Sequence, residues 1–214
     1  MSNGFDPDGG FMSRFTKIVD TLILSILWLI CSVPVFTAGA ASGAFYYAYH
    51  KSIRQDGGHG GKVFFKAFRS NFKQATGIWL LVLVFTGLSL FTCYLLRKMR
   101  GIVPMADVFL TMGVVIIGFA VVWCIYLFPY QSRFENTMLT VMKNSAILAV
   151  ANLPWSLLLL VMFVATVIAV VLNPAMCAPV AAVYIWLVNK ILERIFRRLM
   201  TQEALDSEKE LDGA

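Results

Sequence analysis

Ala75-Thr76-Gly77-Ile78-Trp79-Leu80-Leu81-Val82-Leu83-Val84-Phe85-Thr86-Gly87-Leu88-Ser89-Leu90-Phe91-Thr92-Cys93-Tyr94-Leu95-Leu96 contains no charged side chain. A helix of this length rises about 33 Å, enough to cross the roughly 30 Å hydrocarbon core of a bilayer. Similar blocks lie on either side. Val108 to Tyr130 and Ile147 to Leu172 are uncharged, Ile18 to Pro34 holds one early acid, Asp20, and Ala175 to Val188 forms a last apolar run. The chain is therefore read as all-α and polytopic, a single transmembrane helical domain over residues 1–200 with a polar tail over 201–214.

The composition agrees. Of 214 residues, 59% are apolar and 14% charged, against nearer half and a quarter in soluble domains; the mean hydropathy is +0.75. An ordinary cytosolic domain, a nucleic-acid reader on a soluble scaffold and a disulfide mini-protein are excluded. Cys31, Cys93, Cys124 and Cys177 are scattered through apolar surroundings without a Cys-x-x-Cys spacing, as small apolar fillers would be.

Between the first block and Lys51 lies the ambiguous segment. Pro34 disfavours helical geometry at Val33 and should end or bend the first helix. After it come Thr37-Ala38-Gly39-Ala40-Ala41-Ser42-Gly43-Ala44 and then Phe45, Tyr46, Tyr47 and Tyr49. The Gly39/Gly43 spacing permits close helix approach, and tyrosines favour the membrane boundary. Pro34, Thr37, Gly39 and Gly43 are thus helix-packing candidates. The segment is read as a short second span folded back on the first, which makes six spans; as an interfacial or re-entrant helix it leaves five. Ala38-Gly39-Ala40 also resembles a signal-peptidase site, but the preceding apolar run is long and more membrane blocks follow, so cleavage is not expected.

Two basic stretches read as cytoplasmic surface helices. In the first, Phe64, Phe65, Phe68 and Phe72 recur at helical spacing opposite Lys62, Lys66, Arg69 and Lys73. This pattern suits an interfacial helix with aromatics in the acyl boundary and bases toward anionic head groups. The second, Gln131 to Ser145, carries Arg133, Glu135 and Lys143. Span, basic helix and span then recur at Phe36 to Leu96 and Val108 to Leu172, a faint internal repeat.

Basic loops orient the chain. With six spans and both termini inside, 15 of the 18 Lys and Arg lie in the cytoplasm, and only Arg97, Lys98 and Arg100 lie outside. With five spans the amino terminus moves outside and the division becomes 13 to 5. Both place the carboxyl tail in the cytoplasm.

Chemistry is sparse. Gln55 to Gly61 is glycine-rich, but a phosphate loop ending at Gly61-Lys62 would need glycine where Asp56 stands and Ser or Thr where Val63 stands. His50 and His59 have no acid at helical spacing, so no metal set or catalytic dyad is expected. Asn152 and Pro154, a polar group beside a helix breaker, form the candidate intramembrane polar site. No catalytic residue, metal or cofactor is expected.

Leu27-Trp28-Leu29-Ile30-Cys31-Ser32-Val33-Pro34-Val35-Phe36-Thr37-Ala38-Gly39-Ala40, then Ala44 to Tyr47 and Phe65 to Ala75, resemble the YesL-like family of bacterial membrane proteins. So do Phe128-Pro129-Tyr130, Arg133-Phe134-Glu135, Lys143-Asn144-Ser145 and Ala151-Asn152-Leu153-Pro154 in the second half. Members are small polytopic proteins of Firmicutes and related bacteria, often encoded beside carbohydrate ABC importers and their sensor kinases, with no assigned activity. The resemblance implies a multi-pass protein of the bacterial inner membrane, associated with carbohydrate uptake. An accessory, partner-binding subunit is expected, in contact with the lipid bilayer and an importer permease or sensor kinase, or with a second copy of itself. A small permease-like component is the alternative; a nucleic-acid partner is not expected.

Overall fold

The computed structural model describes residues 10–54, 60–99, 105–134, 136–198 and 200. His59, Arg100, Glu135 and the expected polar tail lie outside the described residues. The described residues form seven α-helices: α1 (Gly10–Ser32), α2 (Ala38–Ala48), α3 (Gly60–Lys98), α4 (Ala106–Arg133), α5 (Met138–Ala151), α6 (Leu153–Leu172) and α7 (Cys177–Phe196). Five are long and apolar enough to cross a membrane, namely α1, α3, α4, α6 and the segment containing α7.

The sixth expected span is corrected. α2 has 11 residues, about 16 Å of rise, too short to cross alone. Pro34 holds an extended backbone (ψ 112°) after α1, and a single 3-10 turn leads into α2. Thr37 Oγ1 lies 2.6 Å from the Cys31 carbonyl and 2.7 Å from that of Pro34, so its hydroxyl serves carbonyls left open at the end of α1. The chain then folds back on α1. Trp28 Nε1 donates to Ser42 Oγ at 3.2 Å and its ring stacks on Phe45. Further along, the π-helical segment Tyr49–Arg54 brings Tyr49 and Ile53 into a groove shared with Lys17 and Thr21. Ala40, Ala41, Ala44, Phe45, Tyr46 and Ala48 are all buried. α2 is thus a return helix enclosed by protein, where short non-spanning segments are tolerated at membrane depth.

The first basic helix is not a separate surface element. It is the opening of α3, whose 39 residues rise about 58 Å, nearly twice the thickness of the hydrocarbon core. Lys62, Lys66, Arg69 and Lys73 are exposed as expected. The aromatic side, however, is not uniformly turned to lipid: Phe64 is fully buried, Phe68 is partly buried against the core and stacks on Phe64, and Phe72 meets Phe68 edge-on along the same helix. Phe65 alone of the four stands out, 52% exposed.

The second basic stretch is also divided differently. α4 runs through Pro129 to Arg133, and a new helix starts at Met138 with Val141, Ser145, Leu148 and Ala149 buried. The span expected from Ile147 breaks at Asn152, so α6 has 20 residues, with Pro154 in its first turn, where a missing N–H costs no helical bond.

α3 and α4 form an antiparallel pair, with Trp79 against Phe128 and Gln74 Nε2 donating to the Asn136 carbonyl at 3.0 Å. α6 and α7 form another, linked by Phe163 with Tyr184 and by Arg194 over the Trp155 ring. The core lies where α2 meets α3 and α4. Away from it, Leu81, Val84, Leu88 and Phe91 on α3 and Leu157, Val161, Ile168 and Val171 on α6 are exposed apolar residues. Such continuous exposure suits contact with acyl chains rather than water.

Candidate functional site: a buried carboxylate between α2, α4 and α7

Glu193 is completely buried one turn before the end of α7. An isolated carboxylate in such a place costs several kcal/mol, so it persists ionised only where other groups compensate it. Three side chains meet it here. Tyr46 donates its hydroxyl to Glu193 Oε1 at 2.7 Å. Arg133 Nη2 donates to Oε2 at 3.1 Å. His50 Nδ1 lies 3.4 Å from Oε1, an ion pair when the imidazole is protonated.

Each partner is positioned by its own helix. Tyr46 and His50 are four residues apart, which stacks them on one face of the return segment. Arg133 is the last residue of α4. Phe196, a turn beyond Glu193, packs edge-on against Tyr46, Tyr130 and Phe134. Asn144 on α5 donates to the Tyr130 hydroxyl at 3.0 Å. The cluster therefore ties α2, α4 and α7 through one carboxylate, with an aromatic wall that keeps water away and so strengthens each bond.

His50 does have an acid partner, contrary to the reading of its helical neighbourhood, because the acid arrives from α7. The sequence does contain a signal for that acid. Asn189, Leu192, Glu193 and Phe196 fall on one helical stripe and are all buried, whereas Lys190, Arg194, Arg197 and Arg198 are exposed. An acid on the apolar stripe of a helix whose bases occupy the other side is a buried-group signature.

The expected candidates are dispersed. A Cβ on Gly39 would come within 2.7 Å of Trp79 Cβ and 2.8 Å of the Phe128 ring, while one on Gly43 would meet the Phe128 carbonyl oxygen at 3.4 Å and its Cβ at 3.9 Å, both ordinary contacts. Pro34 and Thr37 form the turn before α2, and the four bases line the exposed side of α3. Asn152 Nδ2 donates to the Leu148 carbonyl one turn back, at 3.0 Å, closing α5. Pro154 is exposed. The buried polar contact at this junction is instead Ser156, which donates to the Ala149 carbonyl at 2.7 Å and lies 3.1 Å from the Tyr126 hydroxyl.

The sequence model of a family described as "Protein of unknown function, DUF624" matches residues 21–92. The likeness is to a family without an assigned activity. It covers about a third of the chain, from Thr21 in α1 through α2 to Thr92 in α3, and so includes Tyr46 and His50 but neither Arg133 nor Glu193. No curated protein and no solved structure matches the chain.

Proposed function

We propose that this chain is a non-enzymatic subunit of the bacterial inner membrane that binds another membrane protein, in the setting of carbohydrate uptake. The observation that carries the reading is that the buried charges close on one another. Glu193 spends both oxygens on Tyr46, His50 and Arg133, which suits a brace that fixes three helices as a docking platform rather than a nucleophile or base reaching toward substrate. The exposed apolar faces of α3 and α6 and the row of bases on the opening of α3 provide surfaces for a partner in the bilayer and at its edge. The carbohydrate setting rests on the YesL-like resemblance, and the cytoplasmic placement of the carboxyl terminus on the bias of basic residues.

A permease-like component is the second reading, favoured by the same carboxylate, since buried acids serve coupling ions in carriers. Gentle solubilisation and co-purification decide between them. Recovery of a carbohydrate importer permease or its sensor kinase with the chain, in stoichiometric yield, is expected. Accumulation of sugar by liposomes holding the purified chain alone, abolished by Glu193→Gln, would replace the accessory role with transport.

A further inference from the structure

Lys62, Lys66, Arg69 and Lys73 recur along α3 at intervals of four, three and four residues, which sets them on one face, and all four are exposed. None pairs with an acid among the described residues: Glu193 is closed in the cluster above, Asp20 stands on α1, and Asp107 opens α4 at its far end. Phe65, 52% exposed, lies a turn from both Lys62 and Arg69. The row ends close to where the described chain leaves α7. Gln74, next to Lys73, donates to the Asn136 carbonyl at 3.0 Å, and three residues before Asn136 the Nη2 of Arg133 lies 4.0 Å from Met200 Sδ. Residues 201–214 follow from that point. They hold Glu203, Asp206, Glu208, Glu210 and Asp212, five of the 12 acids in the chain, against one base, Lys209.

We propose that residues 201–214 dock on the basic row of α3, their acids along Lys62, Lys66, Arg69 and Lys73 and a leucine, Leu205 or Leu211, on Phe65. Charge complementarity selects this occupant, since five acids less one base leave four negative charges for four positive ones. Reach allows it. From Met200 to Glu210 an extended chain covers about 33 Å, twice the roughly 16 Å that the row occupies along α3. Exposed ion pairs are individually weak, but a tethered segment meets the row at an effective concentration in the millimolar range, an advantage that a free acidic peptide lacks. Docked there, the tail competes for the surface offered above to a partner at the bilayer edge. Only that consequence rests on the proposed function; the contact itself is read in the purified chain, so its failure and the failure of the partner reading are separate results.

The test uses the full chain in phosphatidylcholine vesicles, with Cys31, Cys93, Cys124 and Cys177 replaced by serine and carrying Ser70→Cys, beside Arg69, and Ser207→Cys, between Asp206 and Glu208. Mild oxidation should close a disulfide within one chain, its rate corrected for the reaction of each thiol with a neutral maleimide. Neutralising the tail with Glu203→Gln, Asp206→Asn, Glu208→Gln, Glu210→Gln and Asp212→Asn should slow closure about tenfold, as should Lys62→Gln, Lys66→Gln, Arg69→Gln and Lys73→Gln together. Reversing both sets of charges at once, acids to lysine and bases to glutamate, should restore the original rate. The neutral tail alters none of the described residues, so a row variant that fails to fold leaves the test intact. A rate unchanged by neutralising the tail would overturn the proposal. So would a rate unchanged by neutralising the row, which would assign the tail to Arg197, Arg198 or Lys143. A disulfide formed only between two chains would make a second copy the occupant, and loss of the disulfide when a quarter of the lipid is phosphatidylglycerol would give the row to head groups; either result also overturns it.

Discussion

Arg133 at the end of α4 sets its Nη2 3.1 Å from Oε2 of Glu193, 60 residues later, and Glu193 is fully buried. Breaking a buried ion pair by removing one partner typically costs 3–5 kcal/mol, because the remaining charge loses its main compensation, whereas replacing both by apolar residues of similar volume is far milder. Glu193→Leu and Arg133→Met should each lower the melting temperature in detergent markedly, and the double variant should recover much of the loss. Additive losses in that cycle would show that the two side chains do not act as a pair.

Tyr46→Phe removes only the hydroxyl that donates to the same carboxylate. A hydrogen bond to a charged group contributes about 1.5–3 kcal/mol, so this variant should sit between wild type and Glu193→Leu in thermal unfolding. Stability equal to wild type would mean that the carboxylate is satisfied without the tyrosine.

The two glycines of α2 should respond unequally. Gly39→Ala drives a methyl into Trp79 Cβ and the Phe128 ring, whereas Gly43→Ala meets Phe128 only at van der Waals distance, its carbonyl oxygen at 3.4 Å and its Cβ at 3.9 Å. Overpacking of this kind costs about 1–3 kcal/mol, so Gly39→Ala should lower the melting temperature clearly and Gly43→Ala little. Equal effects would place the close contact elsewhere.

On the opening of α3, Phe64 and Phe65 are neighbours with opposite environments, fully buried and 52% exposed. Phe64→Ala should cost about 3–5 kcal/mol, and Phe65→Ala should change detergent stability little. The quadruple Lys62→Gln, Lys66→Gln, Arg69→Gln and Lys73→Gln variant should stay folded while losing salt-dependent attachment to anionic liposomes. Salt-independent attachment of the wild type would remove the electrostatic role.

α2 is too short to cross alone, but with the π-helical segment it returns the chain beside α1 as far as Lys17 and Thr21, and Gly60 lies against Leu24. The amino terminus and the start of α3 are therefore expected on one side of the membrane, not on opposite sides as a count of five simple crossings would put them. In a background with Cys31, Cys93, Cys124 and Cys177 replaced, cysteines at Ser2 and Lys62 should be shielded from an impermeant thiol reagent in intact cells, and one at Arg97 should label. Labelling at Ser2 with protection at Lys62 would establish the opposite amino-terminal placement.

The class of this molecule was legible residue by residue, because a membrane crossing is a local property: twenty uncharged apolar residues suffice, and Ala75 to Leu96 meets that test without reference to any neighbour. The helix break at Pro34, the small-residue contact at Gly39 and the exposure of the bases on α3 were legible for the same reason, each following from the geometry of a few adjacent residues. Which side of a helix meets protein and which meets lipid was not, since both environments are apolar and the pattern of Phe64, Phe68 and Phe72 is the same for either. Only the packing of α3 against its neighbours made Phe64 core and left Phe68 partly buried beside it. The length of α2 was equally a tertiary matter, because a short helix needs enclosure by neighbours. The site itself depended on distance along the chain. Tyr46 and Glu193 are separated by 147 residues; the stripe of α7 marks the acid as buried, but only the fold brings Tyr46, His50 and Arg133 to it.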